Sequence, residues 1–234
     1  MTGQEHCVAS KLCALNIAGS YRSTMSDQIF LLGSGGHAKM VIEAIRSRSN
    51  LEIIACLAAK ASTDEHVLGI PVLSEEDSLL KDYANRGILG FVAIGENQLR
   101  RKLSTKLSNL GIEIPVVIAA TAYVSPSARI GNGTVVMPNA AIGAETTIGA
   151  GSIINTTSSV DHDGIIGEFV HIAPGCHLAG NVRVGDSSFL GIGTVVIPER
   201  TVGSRSVVGA GAVVTRDVPD NETWIGCPAR PMRR

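Results

Sequence analysis

From Val124 to Val214 an aliphatic residue recurs at every sixth position, sixteen times without a miss. The series runs Val124, Ile130, Val136, Ile142, Ile148, Ile154, Val160, Ile166, Ile172, Leu178, Val184, Leu190, Val196, Val202, Val208, Val214. Neither a helical period nor strict alternation produces this spacing; a hexapeptide repeat does. A small residue often follows the aliphatic one, as at Gly131, Gly143, Gly149, Gly167, Gly185, Gly191, Gly203 and Gly209. The pattern predicts a short strand plus a turn in each hexad. The aliphatic side chain points inward, and the small residue turns a tight corner where a Cβ would clash. Three hexads close one triangular coil, so the run predicts about five coils of parallel β-helix. Ile130 then stacks on Ile148, Ile166, Val184 and Val202. One coil cannot bury its own inner face, so stability comes from stacking neighbours. After Val214 the hexad phase is lost: Asp217–Asn221 reads as a loop, and Trp224-Ile225-Gly226 with the Pro-rich end as a cap on the last coil. A purely architectural β-helix is the rival reading, and the non-repetitive first half speaks against it.

That first half carries a different pattern. Gln28–Leu32 is a short apolar strand. Gly33-Ser34-Gly35-Gly36-His37-Ala38-Lys39 follows, then a helical spacing of Val41, Ile42, Ala44 and Ile45. Glu52–Leu57 is a second strand. Gly69-Ile70-Pro71-Val72 is a short extended piece before a helix beginning near Ser74. Ile88–Ile94 is a third strand, ending in Gly95-Glu96-Asn97; a helix follows through Leu110, and Glu113–Ile118 is a fourth strand leading into the repeat. The order predicts a small Rossmann-like parallel sheet with its crevice at the strand C-termini, where Gly35 and Gly95 fall. The glycine turn and helix N-terminus can hold a phosphate. By itself the motif is equally a structural βα turn, because Lys39 replaces the third Gly of the dinucleotide fingerprint. No acidic residue ends strand two, which argues against a nicotinamide dehydrogenase.

The predicted organisation is a disordered extension over 1–25, a Rossmann-like domain over 26–119 and a β-helix over 120–234. Lys11 and the stretch Leu12–Ala18 imitate a signal peptide, but Asn16 interrupts it and Met25 directly precedes the first strand. A net charge of −1 and a pI of about 6.6 give no reason to expect nucleic acid or an anionic membrane. No apolar run approaches the ~20 residues of a membrane span. Cys7, Cys13, Cys56, Cys176 and Cys227 are scattered, which predicts reduced thiols in a cytoplasmic protein.

Three stretches carry a resemblance: Phe30-Leu31-Leu32-Gly33-Ser34-Gly35-Gly36-His37-Ala38-Lys39, Asn155-Thr156-Thr157-Ser158-Ser159-Val160-Asp161-His162-Asp163, and Ile225-Gly226-Cys227-Pro228-Ala229-Arg230-Pro231. Over about residues 26–234 the chain resembles the hexapeptide-repeat sugar O- and N-acetyltransferases, typified by sialic acid O-acetyltransferase and the nucleotide-4-amino-sugar N-acetyltransferases. The resemblance implies a left-handed coil and a homotrimer. It implies acetyl-CoA bound between subunits and a UDP- or GDP-linked amino-dideoxy sugar in the N-terminal domain. The activity implied is N-acetylation of the 4-amino group, in surface glycan synthesis. It further implies His162 as general base with Asp163 behind it. His171 would meet the acetyl carbonyl, with Gly180, Ile192 and Ala210 lining CoA. Gly35, Gly36, His37, Gly95 and Asn97 would form the nucleotide-sugar site, with Asn155 as a sugar contact. One departure stands out: strand two ends in Leu57-Ala58-Ala59-Lys60 where relatives carry adjacent Asp residues, which unsettles uracil recognition.

The chemistry fits. An alkylammonium cannot attack a thioester, so a base must take its proton, and imidazole titrates near working pH. Asp161 and Asp163 both flank His162. In a flat strand neither would reach the ring; a turn at Asp163-Gly164 relaxes that constraint. A backbone N–H or His171 would serve the oxyanion. His162, His171 and His177 lie near Asp161, Asp163 and Glu168, but the spacing matches no zinc pattern and no metal is expected. His177 reads as a surface residue and Cys176 as a buried thiol rather than an acyl carrier. Arg230, Arg233 and Arg234 are candidates for CoA phosphates. Two rivals remain: an O-acetyltransferase for a sialic-type sugar, and a non-catalytic binding scaffold.

Overall fold

The computed structural model describes residues 27–232; the expected extension over 1–25, together with Arg233 and Arg234, lies outside them. The repeat forms a left-handed parallel β-helix with three faces. Its strands are mostly two residues long, and through the repeat each pairs in parallel with the strand 18 residues on, as Ile148 with Ile166 and Ile154 with Ile172. Face one runs from Tyr123–Val124 to Val213–Val214, and face two from Arg129–Ile130 to Thr201–Val202. Face three runs from Val117–Ile118 to Arg230–Pro231. From Val136 onward every hexad aliphatic is 2 % exposed or less. At the open end, Val124 and Ile130 are half-buried.

The corners differ from the sequence expectation. The left-handed backbone sits three residues after the aliphatic position, at Asn139, Glu145, Gly151, Thr157, Asp163 and onward at every sixth residue to Gly211. The glycines directly after the aliphatic residues serve a close approach instead. A Cβ on Gly149 would lie 2.5 Å from the carbonyl carbon and oxygen of Gly167 in the next coil. Buried hydroxyls satisfy the carbonyls of those glycines: Thr134 donates to Gly149 O at 2.9 Å, Ser152 to Gly167 O at 2.9 Å and Ser188 to Gly203 O at 2.6 Å. The last coil is two residues short. Val218 bridges to Val202 and Trp224 pairs with Val208, 16 residues back in each case. Arg230–Pro231 then returns antiparallel to Thr223–Ile225, forming the expected cap.

The N-terminal half contains β1 (Gln28–Leu32), α1 (Gly36–Arg48), β2 (Glu52–Ala58), β3 (His66–Val67), β4 (Ile70–Ser74), α2 (Asp77–Asn85), β5 (Leu89–Val92) and α3 (Asn97–Asn109). The sheet order is β3-β4-β2-β1-β5, parallel except for the β3–β4 edge. Ser74 ends β4, so the second helix starts later than expected. The stretch Glu113–Ile118 is not a fourth strand of this sheet. Only Val117–Ile118 is extended, and it pairs with Val135–Val136 as the first rung of face three. Just before it, Pro115 O accepts Gly133 N–H at 3.2 Å and Glu113 O accepts Gly90 N–H of β5 at 3.0 Å. The chain leaves β1 toward β2 and β4, then crosses back to β5 on the other side. The turns after β1 and β5 therefore flank the topological switch point, where open α/β sheets bind ligands. Val135, Met137 and Ile153 of face three belong to the same core as β1 and α1, so both halves share buried apolar surface.

Two alanines separate the two kinds of glycine. Gly175→Ala, in a left-handed corner with open space around it, is expected to cost about 1 kcal/mol. Gly149→Ala drives a Cβ into backbone and is expected to cost ~3 kcal/mol or more. Urea unfolding at fixed protein concentration measures both; equal costs would refute the assignment.

Candidate active site

His162 and Asp163 form the corner between faces one and two. Asp163 takes the left-handed conformation, φ 57°, which turns its side chain back onto its neighbour. His162 Nδ1 lies 2.8 Å from Asp163 Oδ2. Asp161 instead accepts the backbone N–H of His162 at 2.8 Å. The imidazole is exposed, and its pKa is raised, first by the hydrogen bond to Asp163 and then by the charges of Asp161 and Asp163. With Nδ1–H committed to the carboxylate, Nε2 carries the lone pair. The ring covers Gly180, one coil on: a Cβ there would lie 2.5 Å from Nε2 and Cε1. Gly180 N–H has no hydrogen-bond partner among the described residues. Beside this corner, face one carries a groove of about 600 Å³ lined by Tyr123, Ser159, Asp161, His177, Ala179, Val195 and Ile197.

A second group gathers at the switch point. His171, on face three, lies under the turn after β5, with Nδ1 3.2 Å from Gly95 O. Its Nε2 is 3.1 Å from Asn155 Nδ2, whose Oδ1 accepts from Thr156 N–H at 2.8 Å. His37, on the first turn of α1, stacks obliquely at 6.4 Å from His171, and its buried Nε2 has no partner. Burial pushes both histidines down to about 4, aided by Arg100 and, for His37, by His171. Gly35 precedes α1 as its cap and Gly36 opens it, both with open space where a Cβ would stand. A neutral His171 donating from Nδ1 has no N–H at Nε2. In this tautomer it offers nothing to an acetyl oxygen.

Ile192 and Ala210 lie 18 residues apart on a third edge, between faces three and one, both exposed. The chain therefore brings together His162, Asp163 and Gly180 at one edge, and His37, Gly95, Asn155 and His171 at the switch point. It does not join the two groups: the edge bearing His162 is opposite face three. Asn97, expected in the nucleotide-sugar site, stands beside the crevice with its side chain turned to the coil. Its Nδ2 donates to Ser187 O and Ser188 O, both at 3.1 Å, and its Oδ1 accepts from Arg100 at 2.7 Å, so its side-chain amide is engaged within the chain. Arg100 was not legible as a functional residue. Its signal is the inward face of α3, which carries Asn97, Arg100 and Ser104 among leucines. His177 is exposed and bonded to Ser159 at 2.9 Å; Cys176 is buried with its thiol pKa pushed up by burial. Among the described residues no cluster of three or more His, Cys, Asp or Glu could hold a metal ion.

Comparison with known proteins gives a consistent result. Residues 28–107 match the family described as the PglD N-terminal domain. GDP-perosamine N-acetyltransferase of Escherichia coli O157:H7 is 31 % identical over 221 residues, covering 87 % of this chain and 96 % of that one. A crystal structure of perosamine N-acetyltransferase from Caulobacter crescentus, a mutant in complex with CoA and GDP-perosamine, superposes with a TM-score of 0.83 at 41 % identity, covering 90 % of this chain and 99 % of that one. The acetyltransferase domain of PglB from Neisseria gonorrhoeae FA1090, in complex with acetyl coenzyme A, gives 0.83 at 39 % identity over 89 % of this chain and 100 % of that one.

Asp163→Asn tests the dyad directly, since Asn tolerates the left-handed corner. The His162 titration, followed by NMR, is expected to fall from its raised position toward 6.5. An unmoved titration would sink the pairing.

Proposed function

This chain belongs to the hexapeptide-repeat nucleotide-amino-sugar N-acetyltransferase family and is an acetyl-CoA-dependent N-acetyltransferase, and on that premise we propose that it acetylates the 4-amino group of a GDP-linked amino-dideoxy sugar with His162 as general base. The observation that carries the mechanism is His162 seated over Gly180 with Asp163 behind it. Asp163 holds the tautomer whose Nε2 accepts a proton, and it stabilises the imidazolium that results. The acetyl thioester lies over Gly180, and the sugar amine attacks its carbonyl carbon as His162 takes the amine proton. Gly180 N–H meets the developing oxyanion. The C–S bond then breaks, and the imidazolium returns its proton to the CoA thiolate.

The base follows from the end of β2. Ala58 and Ala59 place short side chains there and Lys60 a cation, with no carboxylate, which speaks against the uracil recognition that adjacent Asp residues supply in relatives. GDP-perosamine bound to the Caulobacter relative supports the same choice. The open turn at Gly35-Gly36 faces the acceptor, with His37 beside it on the first turn of α1. Because His162 stands opposite face three, one chain holds only half of each ligand path. The proposed enzyme is a homotrimer with acetyl-CoA between copies, against Ile192 and Ala210. Exposed Tyr123, Ile192, Val195 and Ile197 supply apolar surface for that contact. The setting proposed is the cytoplasm, in the building of a surface glycan.

The test is CoA release from acetyl-CoA with GDP-, UDP- and dTDP-linked 4-amino sugars, alongside free sialic acid. Turnover is expected with the GDP-linked amine; turnover with sialic acid alone would move the activity to O-acetylation. His162→Asn is expected to lower kcat by about 10²–10⁴-fold while the chain still assembles and binds CoA. Because the base works unprotonated and its pKa is raised, kcat/KM should fall as pH drops through that value. Gly180→Ala, whose methyl meets the His162 ring, should lose most activity with little loss of stability.

A further inference from the structure

Arg100 is 1 % exposed, deep between the two halves. A guanidinium has five N–H bonds, and here each finds an oxygen. Nε donates to Gly151 O at 2.6 Å. Nη1 donates to Ile94 O at 3.1 Å and Gly95 O at 3.0 Å. Nη2 donates to Asn97 Oδ1 at 2.7 Å and Phe169 O at 3.2 Å. None of these acceptors is a carboxylate. The nearby Glu96 carboxylate is engaged in capping α3 through Gln98 N–H and Leu99 N–H. A buried cation held only by carbonyl dipoles is costly, and it is placed where one of those carbonyls has a second task.

That carbonyl is Gly95 O, which accepts from Arg100 and from His171 Nδ1. A carbonyl only accepts, so Nδ1 must carry the proton of the neutral ring and Nε2 must be bare. The bare nitrogen receives Asn155 Nδ2–H, and Thr156 N–H fixes which way round that amide lies. In the opposite tautomer two N–H groups would face each other, and the Asn155 amide would have to turn and abandon Thr156. We propose that Arg100 is the positioning residue of this site: by pinning the Gly95 carbonyl it holds His171 as the Nδ1–H tautomer, and so aims the second N–H of Asn155 at the acceptor sugar. The sugar contact rests on the function proposed above; the tautomer does not. The groups facing His171 are His37 from α1, Arg100 from α3, and Asn155 and Phe189 from the coil. No carboxylate contributes to its depressed basicity, so the ring stays neutral through the working range.

Nitrogen-15 NMR of the full chain with labelled histidine reads this tautomer without turnover. In the unmutated protein His171 is expected as Nδ1–H only, with no titration between pH 8 and 5. A signal from Nε2–H, or titration near neutrality, overturns the proposal. Arg100→Met should mix the tautomers and raise KM for the nucleotide sugar about tenfold, the weight of one hydrogen bond, leaving KM for acetyl-CoA unchanged. Arg100→Lys, with three donors and the charge retained, should restore part of both. Unchanged tautomer in Arg100→Met, or equal shifts in both KM values, means that Arg100 is only structural. The unmutated spectrum stands even if Arg100→Met fails to fold. A tautomer shift in a protein inactive on every nucleotide amino sugar overturns the substrate and supports the clamp.

Discussion

The parallel ladder that ties each residue to the one 18 positions later sets the geometry of everything else in this chain. Three features repeat in step with it: the inward aliphatic, the left-handed corner residue, and on many turns a buried hydroxyl that donates across the coil. A one-residue slip would expose the whole inner stack, so the pattern fixes its own register. That register also decides the chemistry. Asp163 occupies a corner position, and its left-handed backbone is the reason its carboxylate reaches the His162 ring while Asp161 meets only the backbone N–H. Gly180 lies under the imidazole because it is one coil further along the same edge.

Much of this was legible in the sequence, because a period survives as spacing. The inner stack and the Gly35-Gly36 turn opening α1 follow from counting residues, while the pairing at His162 was implied by the resemblance that its motif carries. The corner was misassigned because glycine is the usual sign of left-handed backbone. Here the glycines that follow the aliphatic positions answer a backbone contact from the next coil. The true corner carries Asn, Glu, Thr, Asp and Ser as freely as Gly, because its side chain points outward and each residue bears the conformational cost separately. Asn97 shows what spacing does not carry: its position beside the crevice is as expected, and its side-chain amide is taken by Ser187, Ser188 and Arg100. Contacts separated by ninety residues leave no trace in local pattern.

The two halves are joined by more than a linker. Face three supplies part of the core under the Rossmann-like sheet, and α3 sets Asn97 and Arg100 against the coil. Apolar burial gives this junction its strength, while the carbonyls around Arg100 give it direction. The crevice proposed to receive the nucleotide sugar is thereby built from both folds. Its histidines are pushed toward the neutral form because burial and the Arg100 cation both disfavour a further charge there.

The short final coil has a consequence of another kind. A solenoid has no inherent length, and the open rung at its end is a template on which a second molecule can continue the same ladder. Here the last rung is drawn in by two residues at Val218 and Trp224, and the chain reverses at Arg230–Pro231. The outermost strand thus runs the wrong way for another coil and includes a residue with no N–H to offer. On face three, the ladder is closed off by the chain's own return strand.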